Sequence, residues 1–445
     1  MFFFYSLLLT LGVVVTAPYY LWRLRGRITS AADWAERLGF LPRHFQQAEP
    51  GAIWVHAVSV GETLAIVGLV REIQQRYPSR KVFLSHVTTA GRAASAARLP
   101  AVAGRFLLPL DWPFAVRGAM ERIRPAILII AETELWPNLL RAARQAGARV
   151  LVVNGRISDR SFRRYRWIRP FMRRVLENVD RICAQSGTDA ERFRGLGAQP
   201  EKIVASGNLK FDASPPPLGE FTRSLENALR EGQRSPVVIA ASTMPGEETL
   251  VLSAWARIRG RYPRALLILA PRHPARFEEV ASLLALRRLE TVRRTALGQE
   301  TSQLTTQTSS ADVLLLDTIG ELASVFELAD LVFMGGSLVP IGGHNVLEPA
   351  YWGKPILFGP HMHNFRDIAQ LLLERQAAVQ VSDEAELSGA MLELLGDAAR
   401  RQELGAAAQR ILEDHRGATA RVLSVLEEWL AVPALAADAR GRGVE

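Results

Sequence analysis

Twice along this chain, short apolar runs alternate with stretches of helical spacing, and a proline-broken polar segment separates the two series. The first series lies between Ala52 and Asp212, with apolar runs at residues 53–58, 82–84, 106–108, 126–130, 150–153, 182–184 and 203–205. The second has its runs at 237–240, 266–269, 313–316, 331–333 and 355–358. Such alternation is the pattern of a parallel sheet covered by helices. It predicts an α/β protein with two Rossmann-like, doubly wound domains facing a cleft, joined by a linker around Pro215-Pro216-Pro217. Ligands of such sheets bind outside the carboxyl ends of the strands, so the residues closing each run are where chemistry is sought.

The expected boundaries are residues 23–212 for the first domain, 213–235 for the linker and 236–430 for the second, with a tail at 431–445. The polar stretch Gly298 to Ser310 reads as a mobile surface loop. Residues 1–22 carry no charged side chain and are followed by Arg23, Arg25 and Arg27. A run of that length is enough for the bilayer core, and arginines at its exit predict a single-pass N-terminal anchor with the rest of the protein on the cytoplasmic face. A cleaved signal peptide is less favoured, because no basic residue precedes Phe2, and a helix lying on the membrane surface is the third reading.

The formal charge is +9 although only Lys81, Lys202, Lys210 and Lys354 are lysines. A basic, arginine-rich chain suits an anionic partner, a nucleic acid or a membrane with phosphorylated lipids. The single cysteine, Cys183, excludes an intramolecular disulfide.

The densest motif is Gly335 to Pro349, which carries Gly335-Gly336-Ser337 and Gly342-Gly343-His344-Asn345 after an apolar run. Glycines allow close approach of a ligand, free amides at a helix start favour a phosphate, and Glu348 is placed to accept from ribose hydroxyls. An ordinary tight αβ turn is the plain alternative. Ser59-Val60-Gly61-Glu62 closes the first run. It is a capping box, and it is equally a carboxylate at a helix start that stays ionised and takes a proton from an alcohol. Glu132 and Glu134 follow the most apolar strand of the first domain, and at least one of them should line the cleft. Lys210 sits at that domain's end, where a cation can meet a carboxylate or phosphate; a solvated lysine is the commoner case. In the second domain Pro271-Arg272 and Ile319-Gly320-Glu321 follow their own runs. Arg272 is suited to clamping phosphate, and Glu321 to capping its helix or binding the nucleotide.

Eight arginines lie between Arg156 and Arg174, interleaved with aromatic residues. Arg163, Arg164, Arg166, Trp167 and Arg173 are read as a surface for anionic lipid or a lipid acceptor rather than for nucleic acid. No metal site is predicted, since His361 and His363 lack a third ligand at metal spacing.

Taken in order, Ser59 to Glu62, Glu132 to Asn138, Gly207 to Lys210, Ala270 to Pro274, Ile319 to Glu321 and Gly335 to Glu348 resemble the 3-deoxy-D-manno-oct-2-ulosonic acid (Kdo) transferases of Gram-negative bacteria, glycosyltransferase family 30. The resemblance covers nearly the whole chain. It implies a GT-B fold and an inverting, metal-independent transfer of Kdo from CMP-Kdo to a lipid A precursor, lipid IVA, at the inner membrane, with no further cofactor and no obligate protein partner. The first domain would then bind the acceptor and the second the CMP-sugar. By motif, Glu62 is similar to the family's general base, and Glu132 and Lys210 to its transition-state stabilisers. Pro271, Arg272, Ile319, Gly320, Glu321, Asn345, Val346, Leu347 and Glu348 are similar to its CMP site. Thr243 to Gly246 departs from the family, which often has a histidine-bearing loop there. The rivals are a nucleotide-sugar epimerase of the same fold and a non-catalytic protein that binds anionic lipid.

Overall fold

The structure is a computed structural model and describes residues 1–23, 30–47, 50–213, 215–298 and 301–430. It divides into two units, one formed by Met1–Ala213 with the chain from His415 onward, the other by Ser214–Asp414.

The first unit is built on seven strands: β1 (Ala52–His56), β2 (Val82–His86), β3 (Gly104–Leu107), β4 (Pro125–Ala131), β5 (Arg149–Gly155), β6 (Arg181–Ala184) and β7 (Ile203–Ala205). They pair in the order β3-β2-β1-β4-β5-β6-β7, all parallel. Apart from the edge strand β7, which is largely exposed, both faces are covered, which is why these strands read as continuous apolar runs. Trp54, Leu128 and Val150 point into the layer with Phe106 and Leu139; Ile53, Ile127 and Leu151 point into the opposite layer with Ile66 and Leu69.

The second unit repeats the plan with β8 (Val237–Thr243), β9 (Leu266–Pro271), β10 (Thr291–Arg293), β11 (Val313–Leu315), β12 (Leu331–Met334), β13 (Ile356–Phe358) and β14 (Val379–Gln380). Their order is β10-β11-β9-β8-β12-β13-β14, again parallel. In each sheet the chain reverses its direction of winding once, between β1 and β4 in the first and between β8 and β12 in the second. Those switch points are where a doubly wound sheet opens a crevice.

Several expectations need correction. The N-terminal apolar segment is helical over Phe2–Arg23, but no helix among the described residues is long and apolar enough to cross a membrane. The predicted single-pass anchor, and the cytoplasmic-face placement that rested on it, are thereby overturned. The physical reason lies in its polar side chains, which bind the unit's own surface. Asn138 Nδ2 donates to Ser6 Oγ at 3.0 Å and Trp112 Nε1 to Thr10 Oγ1 at 3.1 Å, while Phe2 and Tyr5 pack on the ring of Phe171. Arg25 and Arg27 lie outside the described residues, as does the tail.

The predicted linker contains a helix, Glu220–Glu231, whose Phe221, Leu225 and Ala228 are buried at helical spacing. It packs against a second helix, Thr301–Ser309, in the stretch expected to be a loop; Leu304 and Thr308, four apart, are its buried face. Helix Ala418–Leu430 leaves the second series and packs on the first sheet, where Val422, Leu423 and Leu426 meet the layer of Ile66 and Leu69.

Candidate active site

In the first unit the switch point is lined by acids. Ser59 caps helix Val60–Arg76, so Glu62 stands in its first turn. The Val58 amide donates to Glu62 Oε2 at 2.7 Å and the Ser59 hydroxyl to Oε1 at 3.1 Å. Ser59 Oγ also accepts from the Glu62 amide at 3.4 Å, so the serine cap is present, but the Glu62 carboxylate takes the Val58 amide and not that of Ser59, so the reciprocal capping box is not the bond formed. Burial pushes the Glu62 carboxyl up to about 7; the Val58 amide opposes this, Glu132 and Glu134 reinforce it, and Ser59 opposes it. The expected fully ionised carboxylate is thus replaced by one near half-protonation at neutral pH, because burial and two like charges outweigh the helix terminus. A carboxyl so poised suits proton transfer at that pH.

Glu132 follows the end of β4 with φ +56°, a left-handed conformation that costs a non-glycine residue of order 1 kcal/mol or more. Its amide donates to Val153 O at 2.9 Å, and its Oε1 accepts from Lys210 Nζ at 3.3 Å. Lys210 lies on the short turn Leu209–Asp212, which Asn208 caps and which the buried Asn154 holds by accepting from the Leu209 amide at 3.0 Å. Asp212 binds the turn to the start of helix Ala418–Leu430, accepting from the Gly417 amide at 2.6 Å and from that of Thr419. Both acids act electrostatically on Glu62, and Glu132 also accepts from Lys210. Burial, and then Glu132, raise the Glu134 carboxyl above its ordinary range.

The arginine-rich segment forms helices Asp159–Trp167 and Arg169–Leu176. The first has no fully buried residue, though Phe162 and Tyr165 pack partly on the core, and Arg163, Arg164, Arg166 and Arg173 are exposed together with Trp167, which is 90% exposed. Tyr165 of this segment is raised by burial and by the charge of Glu134, which puts the basic helix within electrostatic reach of the acids.

In the second unit the glycine loop is arranged differently from the sequence reading. The amides of Gly336, Ser337 and Leu338 do not stand open for a phosphate. All three donate to Glu247, at 2.6, 2.9 and 2.9 Å, and the Met244 amide adds a fourth bond at 3.0 Å. Glu247 is fully buried in the first turn of helix Glu247–Arg261. Sequence reasoning passed over it because an acid at a helix start is ordinarily a solvated cap; the turn at residues 241–248 was its only signal. Helix Leu347–Tyr351 is a single short turn, whose Leu347 amide is taken by Asn345 Oδ1 at 3.2 Å. Asn345 Nδ2 also donates to Glu348 Oε1 at 3.3 Å. Val346 and Leu347 are buried beneath these two polar side chains.

Pro271 ends β9, and Arg272 beyond it is exposed, its amide held by Thr243 O at 3.0 Å. Glu321 does not cap its helix through its side chain. It accepts from Arg294 Nε and Nη2 at 3.0 and 2.8 Å and from the Thr318 hydroxyl, and Arg294 stacks on Phe221 at 3.8 Å. Ile319 is 67% exposed and Gly320 has φ +100°, so this turn presents an apolar tip.

Known proteins resemble this chain in sequence and in fold. Residues 32–213 match the family model described as 3-deoxy-D-manno-octulosonic-acid transferase (kdotransferase). The chain is 35% identical over 399 residues to the 3-deoxy-D-manno-octulosonic acid transferase of Haemophilus influenzae, covering 89% of this chain and 91% of that protein. It is 35% identical over 437 residues to the enzyme of that name from Bordetella pertussis, covering 95% and 98%. Among solved structures, a UDP-N-acetylglucosamine 2-epimerase aligns over 87% of this chain and 98% of its own with a TM-score of 0.55. At 12% identity that likeness speaks to the fold alone.

Proposed function

The chain belongs to the 3-deoxy-D-manno-octulosonic acid transferase family and is a glycosyltransferase of lipopolysaccharide biosynthesis, and from that premise we propose that it transfers Kdo from CMP-Kdo to lipid IVA with inversion at the anomeric carbon. The family's donor is CMP-Kdo and its acceptor a lipid. The epimerase and the non-catalytic lipid binder are set aside, because the long-range sequence relatives are transferases.

The observation that carries the finer reading is the first unit's acid cluster: Glu62, held by an amide and a hydroxyl with its carboxyl near 7, beside Glu132 paired with Lys210. In the proposed step the acceptor hydroxyl attacks the anomeric carbon and its proton passes to Glu62. The bond from that carbon to the phosphate oxygen breaks, and its electron pair leaves with CMP. A single displacement of this kind inverts the centre. In the oxocarbenium-like transition state Glu132 stabilises the positive charge that develops on the sugar, and Lys210 the negative charge that passes to the leaving phosphate. In the second unit Pro271, Arg272, Ile319, Gly320, Glu321 and Asn345 to Glu348 are assigned to CMP. The assignment gains support from Arg272, whose side chain is exposed at the end of β9, where such sheets bind ligands. Arg163, Arg164, Arg166, Trp167 and Arg173 are assigned to the phosphorylated acceptor and anionic lipid, on the strength of their shared exposure.

The test is transfer onto lipid IVA with CMP-Kdo generated in place, products resolved by mass. Addition of one or two Kdo masses, with the new linkage of opposite anomeric configuration to the donor by NMR, is the expected result. Folded protein that leaves lipid IVA untouched with donor intact would remove the acceptor assignment, and a retained configuration would remove the single displacement.

A further inference from the structure

In the second unit the switch point between β8 and β12 is filled by a side chain of the protein itself. The four backbone donors that close on Glu247 come from the turn after β8 (Met244) and from the loop after β12 (Gly336, Ser337, Leu338). Each carboxylate oxygen accepts two of them: Oε2 takes Met244 and Gly336, Oε1 takes Ser337 and Leu338. A nest of successive amides around an anion is the arrangement that phosphate-binding loops present to a ligand. Here the anion is internal, so these amides are unavailable for the phosphate of a nucleotide.

Both halves of the nest lead directly to residues assigned to CMP. On one side, the turn after β8 continues back to Thr243, whose carbonyl accepts from the Arg272 amide at 3.0 Å. On the other, Gly336 O accepts from the Gly343 amide at 2.7 Å, and Gly343 begins the segment that runs through His344 into Asn345 and Glu348. Ser337 extends the support, its carbonyl accepting from His361 and its hydroxyl from the Gly359 amide at 2.8 Å. The fit is close at two glycines. A Cβ on Gly335 would meet Ser242 O and the Thr243 Cα at 2.7 Å, and one on Gly336, at φ +68°, would meet the His344 ring at 2.9 Å.

We infer that Glu247 is the positioning residue of the nucleotide site: its carboxylate occupies the switch point in place of a ligand phosphate and fixes, at once, the strand end carrying Arg272 and the segment carrying Asn345 and Glu348. The inference rests on the assignment of CMP to this unit. It carries a consequence for recognition, since the donor's phosphate is then met by side chains, Arg272 foremost, and not by the glycine loop.

The experiment is steady-state transfer with Glu247→Gln, with CMP and cytidine affinities measured by calorimetry on the same protein. A carboxamide has one acceptor oxygen where the carboxylate has two, so its NH₂ faces two amide donors and the nest opens. Ground-state nucleotide contacts are lost, which raises KM while leaving kcat in place. The expected result is a KM for CMP-Kdo raised about tenfold or more, with kcat at saturating donor and KM for the lipid acceptor within about twofold of the parent, and CMP affinity weakened in step. A role confined to folding gives the opposite pattern, a kcat reduced in proportion to the inactive fraction with KM unchanged, and that outcome overturns the inference. Gly336→Ala keeps the Glu247 carboxylate but strains, at φ +68°, the loop whose amide bonds to it, and should show the same rise in KM; it carries the test if Glu247→Gln does not accumulate. Amide resonances of Gly336, Ser337 and Leu338 that respond to CMP as directly bonded donors would also overturn it. A parent protein that binds no CMP removes the nucleotide assignment itself, whereas CMP binding in the parent with an unchanged KM in both variants removes only the role of Glu247.

Discussion

Lys210 Nζ donates to Glu132 Oε1 across 3.3 Å, tying a left-handed residue at the end of β4 to a turn 78 positions further along the chain. The pair is mostly buried, with 17% and 24% of the two side chains exposed. The net contribution of such a pair to stability is small, because the cost of taking two charges out of water offsets their attraction, so stability does not account for a strained backbone and two charges held together in a strand-end crevice.

Lys210→Met should therefore cost catalysis as well as stability. The expected loss in kcat of the folded fraction is about 10²-fold, with unfolding free energy lowered by about 3 kcal/mol because the Glu132 carboxylate loses this cation. Single-turnover transfer and urea unfolding of the same preparation measure both. Activity within about threefold of the parent would exclude Lys210 from the transition state.

The Glu62 carboxyl, pushed up from an ordinary 4.5 to about 7, sets a pH dependence in both rate and stability. The base works only when ionised, so kcat/KM should climb with pH through about 7 and level off above it. In stability the sign is opposite. The folded state holds this proton more tightly than the unfolded chain, so stability from this group is lost as pH rises from 4.5 to about 7 and is constant beyond. Glu62→Gln should abolish transfer, and its stability relative to the parent should be greater at pH 8 than at pH 5. A pH-rate profile flat across neutrality in the parent would count against Glu62 as the base.

Glu134 adds to the negative field on Glu62. Glu134→Gln removes that charge, so the ascending limb of the pH-rate profile should move toward acid while the plateau rate is retained. If the limb stays in place, the field of Glu134 does not reach the base.

Asp212 joins the turn of Lys210 to the first amides of helix Ala418–Leu430, and Arg421 of that helix donates to Ser206 O at 2.6 Å. Asp212→Ala should lower stability by about 1–2 kcal/mol, the usual cost of a lost cap, and should reduce kcat as the lysine's turn loosens. Removal of the chain from His415 onward should do the same more severely. Stability measured by denaturant and kcat measured on the folded fraction separate the two effects.

Gly405 lies within helix Ala398–His415, where alanine is ordinarily better than glycine by about 1 kcal/mol. Here the sign should reverse, because a Cβ would fall on the carbonyl oxygen of Gly353. Gly405→Ala is expected to destabilise by about 1–3 kcal/mol, the cost of overpacking. A gain in melting temperature would show that the close approach of these two segments is not maintained in solution.

Both sheets were legible because a strand buried on both faces must be apolar throughout, and every strand of the first unit coincides with an apolar run. Two edge strands of the second unit, β10 and β14, escaped notice. Thr291–Arg293 carries an arginine and is only partly buried, and Val379–Gln380 is two residues long, so neither has the period or length that marks a strand. Helices Glu220–Glu231 and Thr301–Ser309 were hidden by prolines and by threonine- and glutamine-rich composition, and each is stabilised by packing against the other.

What the sequence alone determined is the pair of doubly wound units, the positions of Glu62, Glu132, Lys210 and Arg272 at strand ends, and the family, because these depend on local pattern and motif. Tertiary structure decided the rest. It turned an apolar N-terminal run into a helix docked on its own unit, since Ser6 and Thr10 found partners that no local pattern reveals. It carried the last helix back to the first sheet and selected Glu132 as the partner of Lys210. It also filled the glycine loop with Glu247, a residue separated from that loop by 89 positions or more. Hydrogen-bond partners and burial are set by which surfaces meet, and over such separations along a chain that is decided by packing and not by local propensity.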